Sequence, residues 1–157
     1  MRKIKVLFAI TLFVIILFLI HFGTSIHIAE AYINLSKATE DDVIFGKYNM
    51  IIGFLVTGLI FIGLCISLKC ILGILWSGFF TETSRKLMRW AGYIYLLSGI
   101  SNATFDIIAL INGGEEATKI GFILLDSLLA ILGLIVLIVA DMAQTGYQLK
   151  SENDLTI

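Results

Sequence analysis

From Trp90 to Asp141 the sequence consists of two apolar runs joined by a short polar link, Gly113-Gly114-Glu115-Glu116-Ala117-Thr118-Lys119. Each run reaches the length of roughly 20 residues that carries a helix across a bilayer. In hydrocarbon every backbone N–H and C=O needs an internal partner, which a helix supplies, so the two runs fold as an antiparallel helical hairpin. Each helix carries one acid well inside it, Asp106 in the first and Asp126 in the second, both ten residues from Glu116. In antiparallel helices, equal distance from the turn means nearly equal depth. An ionised Asp near the centre of a membrane helix costs about 2.5 to 3.5 kcal/mol, so two at one depth need a reason. Two carboxylates so placed do not readily both ionise, and a proton or cation site is one expectation. The plainer one keeps each acid neutral and hydrogen-bonded to Asn102, Ser127 or a tyrosine, gluing the helices together.

The remainder of the chain fits the same environment. With 59% hydrophobic and 15% charged residues, it is far oilier than a soluble domain, which averages about 45 to 50% apolar and 25% charged. Proline is absent, so no helix is broken by the usual means, and this counts against transporter folds built on unwound helices. Cys65 and Cys70 are five apart within an apolar run and lack redox or zinc spacing, which leaves membrane packing. The net charge of -1 gives no sign of nucleic-acid binding.

Met1-Arg2-Lys3-Ile4-Lys5 precedes an apolar run from Val6 to Phe22. A cleaved signal peptide ending near Ala29-Glu30-Ala31 is the rival to an uncleaved span, but the run exceeds the usual apolar region of about 7 to 15 residues. The polar, acidic stretch from Gly23 to Tyr48 follows, with Glu30, Glu40, Asp41 and Asp42. Ile26, Ala29 and Ile33 keep helical spacing, so the first helix continues beyond the membrane before the chain turns at Ser36 to Asp42. His21 and His27 are expected as interfacial side chains, and the sequon Asn34-Leu35-Ser36 has no meaning in a bacterial host.

The second span begins near Asn49, with Gly53, Gly58 and Gly63 permitting close helix contact. Lys69 marks its inner edge and Trp76 anchors an extension that Ser77-Gly78-Phe79-Phe80 ends. Thr81-Glu82-Thr83 has the form of a helix start, a hydroxyl at the N-cap and an acid in the first turn. Arg85, Lys86 and Arg89 then lead into the third span. There Ser98, Asn102 and Asp106 recur every four residues and share a face that should point into the bundle, beside the small pair Gly99 and Ala103.

Basic residues orient the chain. Arg2, Lys3, Lys5, Lys69, Arg85, Lys86, Arg89 and Lys150 flank one side, and Lys37, Lys47 and Lys119 the other. The larger set belongs in the cytoplasm. The expected fold is all-α, an integral membrane four-helix antiparallel bundle with both termini cytoplasmic and a single domain over 1–157. Its spans are at about 4–22, 49–68, 90–112 and 120–140, with an outer loop 23–48, an inner loop 69–89 and a cytoplasmic tail 142–157.

In the tail, Gly146-Tyr147-Gln148-Leu149-Lys150-Ser151-Glu152-Asn153-Asp154-Leu155-Thr156-Ile157 resembles the closing signature of the YoaS-like family of small four-helix bacterial membrane proteins, domain of unknown function 2975. Gly78-Phe79-Phe80-Thr81, leading to Arg85-Lys86-Leu87, is similar to that family's Gly-x-Pro-Phe-Ser/Thr stretch, with phenylalanine in the proline place. The resemblance implies a bacterial plasma-membrane protein without established activity, commonly encoded beside a small helix-turn-helix regulator. That association makes such a regulator the expected partner.

Arg85, Lys86 and Arg89 would serve a partner or an anionic headgroup, although mostly they set orientation. Glu152, Asn153, Asp154, Leu155, Thr156 and Ile157 form the second candidate partner surface. Read as an extended strand, this tail suits β-augmentation, with Leu155 and Ile157 on one side; the alternative is a disordered, water-tolerant end. No catalytic set, metal-spaced cluster or phosphate loop occurs, so no enzyme activity, cofactor or metal is expected. A small proton-coupled transporter, or an immunity protein against a membrane-active peptide, working through Asp106 and Asp126, is the alternative function. Membrane lipid is an expected partner, and association with further copies of the chain is left open.

Overall fold

The computed structural model describes the backbone of residues 2–35, 48–111 and 116–155, and the side chains among these except 25–35, 48–52, 116–119, 150 and 153–155. Four helices account for nearly all of it: α1 (Arg2–Leu35), α2 (Tyr48–Ser77), α3 (Glu82–Ile111) and α4 (Glu116–Leu155). The side chains of His27 and Asn34, the acidic stretch 36–47, the link 112–115 and Thr156-Ile157 lie outside the described residues. The protein is an all-α membrane bundle, each helix long and apolar enough to cross a bilayer. At 1.5 Å per residue α3 is about 45 Å long and α4 about 60 Å, against roughly 30 Å of hydrocarbon, so both overrun the membrane.

Only residues 78–81 separate α2 from α3. Gly78, at φ 90°, sends its N–H back to the Ile74 carbonyl at 3.1 Å, a left-handed helix cap that a residue with Cβ adopts only under strain. Thr81 caps α3 as its position suggests. Its Oγ1 accepts from the Ser84 amide at 3.2 Å and its carbonyl accepts from the Arg85 amide at 3.1 Å. The Thr81 hydroxyl donates to Ser84 Oγ at 2.8 Å, which donates onward to the Gly78 carbonyl at 3.4 Å. The turn is thereby closed on itself, and the Cys70 thiol donates to the Ser84 carbonyl from beneath it at 3.5 Å.

Each helix packs on the next in sequence, and among the described residues α1 meets neither α3 nor α4. Phe18 stacks on Phe61 at 5.9 Å and Phe22 meets Phe54 edge-on at 5.5 Å, fixing α1 to α2. Gly63, two residues from Phe61, instead faces Tyr95 and Ile94 of α3. At about 100° per residue these positions point in nearly opposite directions, so α2 is sandwiched between α1 and α3. Of the three glycines expected to admit a neighbour in α2, Gly63 does so; among the described residues nothing lies within 4 Å of a Cβ at Gly53 or Gly58.

The closest packing lies between α3 and α4. A Cβ at Gly99 would lie 2.5 Å from the Ala130 amide nitrogen and 2.6 Å from the Asp126 carbonyl; one at Gly133 would strike the Leu96 amide nitrogen. Gly92 faces Leu137 and Gly133. Backbone thus meets backbone, the contact small residues permit in lipid, where no hydrophobic drive joins helices. A buried cluster of Cys70, Met88, Ala140 and Ala143, with Phe79 and Leu87 against it, closes the end nearest the α2–α3 turn.

Candidate functional site

The tight crossing at Gly99 brings the backbone of Asp126 against α3, and its side chain into hydrogen-bonding contact with Asp106 and Asn102. The two acids anticipated at one depth therefore touch. A direct hydrogen bond between two carboxyl groups needs an O–H on one of them. The Ser127 hydroxyl donates to the Ile123 carbonyl of its own helix at 2.7 Å. Asn102, Asp106 and Asp126 are half-buried. Asp106 is 16 residues from Trp90, which places the pair about 24 Å beyond Trp90 along α3, toward the end of the bundle remote from the basic residues.

Ser98 shares the face of Asn102 and is fully buried, and its hydroxyl has no hydrogen-bond partner among the described residues. One turn further, the Tyr95 hydroxyl lies 2.9 Å from Ser67 Oγ of α2. This last pair has no motif to announce it. A tyrosine and a serine in separate apolar runs acquire a relation only through helix register.

A second site forms at the opposite end of the bundle, where the start of α3 packs against the later turns of α4. Arg89 donates to Asp141 at 2.9 Å and to Gln144 at 2.6 Å. The Arg85 guanidinium lies over the Tyr147 ring, 5.9 Å from its centroid, a cation–π arrangement. Phe80, edge-on to Phe79 at 5.2 Å, occupies the space a side chain at position 146 would fill; Gly146 is the slot that receives it. Lys86 pairs with Glu82 at 2.7 Å on the exposed face of α3. Arg85 and Arg89 are thus engaged with α4, while Lys86 and Glu152 are exposed.

The tail departs from expectation. Instead of an extended strand, α4 continues without interruption from the membrane through Glu152, Asn153, Asp154 and Leu155. A helix satisfies its own backbone, leaving no ladder of free N–H and C=O groups, so strand addition drops out for 142–155. Physically, Leu149 to Leu155 has no proline or glycine to stop a helix already propagating from α4. Among the described residues no three His, Cys, Asp or Glu side chains gather to hold a metal ion.

The two stretches that carried the resemblance, Gly78 to Leu87 and the segment from Gly146 onward, are therefore in contact with each other. Residues 4–157 match the family described as protein of unknown function, DUF2975. The chain belongs to that family. No curated protein and no solved structure matches it. Within DUF2975 the chain is a multi-pass membrane protein of unassigned activity.

Proposed function

We propose that this member of DUF2975 is a signalling or regulatory protein of the bacterial plasma membrane, with both termini and the α2–α3 turn in the cytoplasm, and that this end binds a small helix-turn-helix transcription regulator. The observation that carries the reading is the joining of the α2–α3 turn to α4 through Phe80 on Gly146 and Arg85 on Tyr147. Two segments distant in sequence become one surface, and α4 projects beyond it. Glu152, Asn153 and Asp154 supply acidic and acceptor groups, complementary to the basic face with which such regulators hold phosphates. The protein acts by holding its partner and has no catalytic role. Deleting Ser151 to Ile157 is expected to leave membrane insertion intact and abolish co-purification with a helix-turn-helix protein encoded alongside. Undiminished co-purification removes the idea.

The contact between Asp106 and Asp126 favours a second reading, a small proton-coupled transporter or an immunity protein against a membrane-active peptide. Asp→Asn at each position separates the two. Loss of efflux or resistance with regulator binding intact supports the second.

A further inference from the structure

One face of α3 is turned away from both of its neighbours. Lys86, Trp90, Tyr93, Leu97 and Ile100 recur at alternating intervals of four and three residues and are all exposed, so they form one stripe along the helix. Tyr95 faces α2, and Gly92 and Gly99 face α4, which leaves this stripe to the surroundings. Ile107 and Ile111 extend it, also exposed, so the stripe is apolar along the span and ends in a cation and two aromatic rings.

A matching stripe on α2 fixes where the lipid headgroups lie. Ile62, Cys65, Lys69, Leu72 and Trp76 are exposed at intervals of three and four. Lys69 is eight residues from Ser77, where α2 ends, and Trp90 is eight from Glu82, where α3 begins. In adjoining antiparallel helices the two therefore share a level. A lysine within a lipid-facing stripe keeps its ammonium out of hydrocarbon by reaching the polar interface. The headgroup layer thus comes within reach of the Lys69 and Trp90 level, and Lys86, one turn farther out, stands in it. Trp90 and Tyr93, 64% and 56% exposed, are residue types that settle at this boundary.

Charge complementarity names the occupant. Arg85 and Arg89, the other cations of this part of α3, are committed to Tyr147, Asp141 and Gln144. Lys86 pairs with Glu82 in an exposed contact of a kind that contributes little, and an ammonium has three N–H donors. Glu82 lies one turn farther from the bilayer, which leaves the side of Lys86 toward Trp90 for an anion.

We propose that Lys86, Trp90 and Tyr93 bind the headgroup of an anionic phospholipid, whose acyl chains lie along Leu97 and Ile100. The Lys86 ammonium and the Trp90 indole N–H donate to the phosphate oxygens, and the Tyr93 hydroxyl donates to the ester region below them. Net negative charge is what the site selects, because a choline headgroup carries a cation of its own. The site stands apart from both readings of the function.

Trp76 and Trp90 are the only tryptophans in the chain, so Trp76→Phe leaves the site as its own fluorescent reporter. The full chain with that change is reconstituted in phosphatidylcholine vesicles containing a fixed fraction of lipid with brominated acyl chains, either phosphatidylglycerol or phosphatidylcholine. Quenching of Trp90 measures which lipid lies beside it. Phosphatidylglycerol is expected to be preferred about fivefold, the factor that about 1 kcal/mol per surface lysine corresponds to. Adding Lys86→Gln should bring the preference down to about one. Lys5→Gln removes the same charge from α1, which among the described residues meets neither α3 nor α4, and should keep the preference. Equal quenching by the two lipids before Lys86 is changed overturns the site. So does an equal loss of preference in Lys5→Gln and Lys86→Gln, because the selection then belongs to overall charge.

Discussion

Gly133→Ala adds a single methyl group to the middle of α4, and the structure says where it goes. The new Cβ would collide with the Leu96 amide nitrogen and lie 2.8 Å from both the Leu96 Cα and the Gly92 carbonyl. All three are backbone atoms of α3, held by that helix's own hydrogen bonds, so no rotamer change relieves the contact. The helices must separate by several tenths of an ångström. Overpacking of this kind costs up to about 3 kcal/mol, and the better helix propensity of alanine returns at most about 1, leaving a net loss of about 2 kcal/mol. Gly53→Ala is the matched control, because among the described residues nothing lies within 4 Å of its added carbon. It should be neutral or stabilising by up to about 1 kcal/mol. Reversible unfolding in mixed micelles, titrated with denaturing detergent, measures both variants. Stabilities equal to within about 0.5 kcal/mol, the spread of an innocuous surface change, would refute the claim that α3 and α4 touch through their backbones at Gly133.

Two further outcomes follow from polar contacts. Tyr95→Phe should lower stability by about 1 kcal/mol in the same assay, since Ser67 loses its partner in a part-buried site. For Arg89 and Asp141, whose side chains are 41% and 69% exposed, a double-mutant cycle to alanine should give a coupling below about 1 kcal/mol that falls as salt is added. A coupling of several kcal/mol would mean that this end is buried against something else.

The acids illustrate how far linear reasoning reaches. Asp106 and Asp126 are symmetric about Glu116, and symmetry about a turn becomes proximity in any antiparallel hairpin, so their meeting was legible from counting residues. Thr81 and Gly78 were legible for another reason: caps depend on the local chemistry of a few neighbouring residues. The glycines were not. Gly53, Gly58 and Gly63 look equivalent in sequence, and only the placement of Tyr95 distinguishes the last of them. Nor was the tail, whose polar composition suits a strand, a coil or a helix until the helix preceding it is known to run without a break. Arg85 and Arg89 read as charges for a partner, a headgroup or orientation because Tyr147, Asp141 and Gln144 lie more than 50 residues away.

By itself, then, the sequence determined that this chain is helical and crosses a membrane, because apolar length and backbone satisfaction in lipid admit few alternatives. It also determined where the α2–α3 turn falls and which acids share a depth. Tertiary structure decided which faces touch, that the turn docks on α4 at Gly146, and that Ser98 is fully buried. Those outcomes depend on how helices interdigitate, and in hydrocarbon that choice is made by shape rather than by apolar content, which is much the same on every side of these helices.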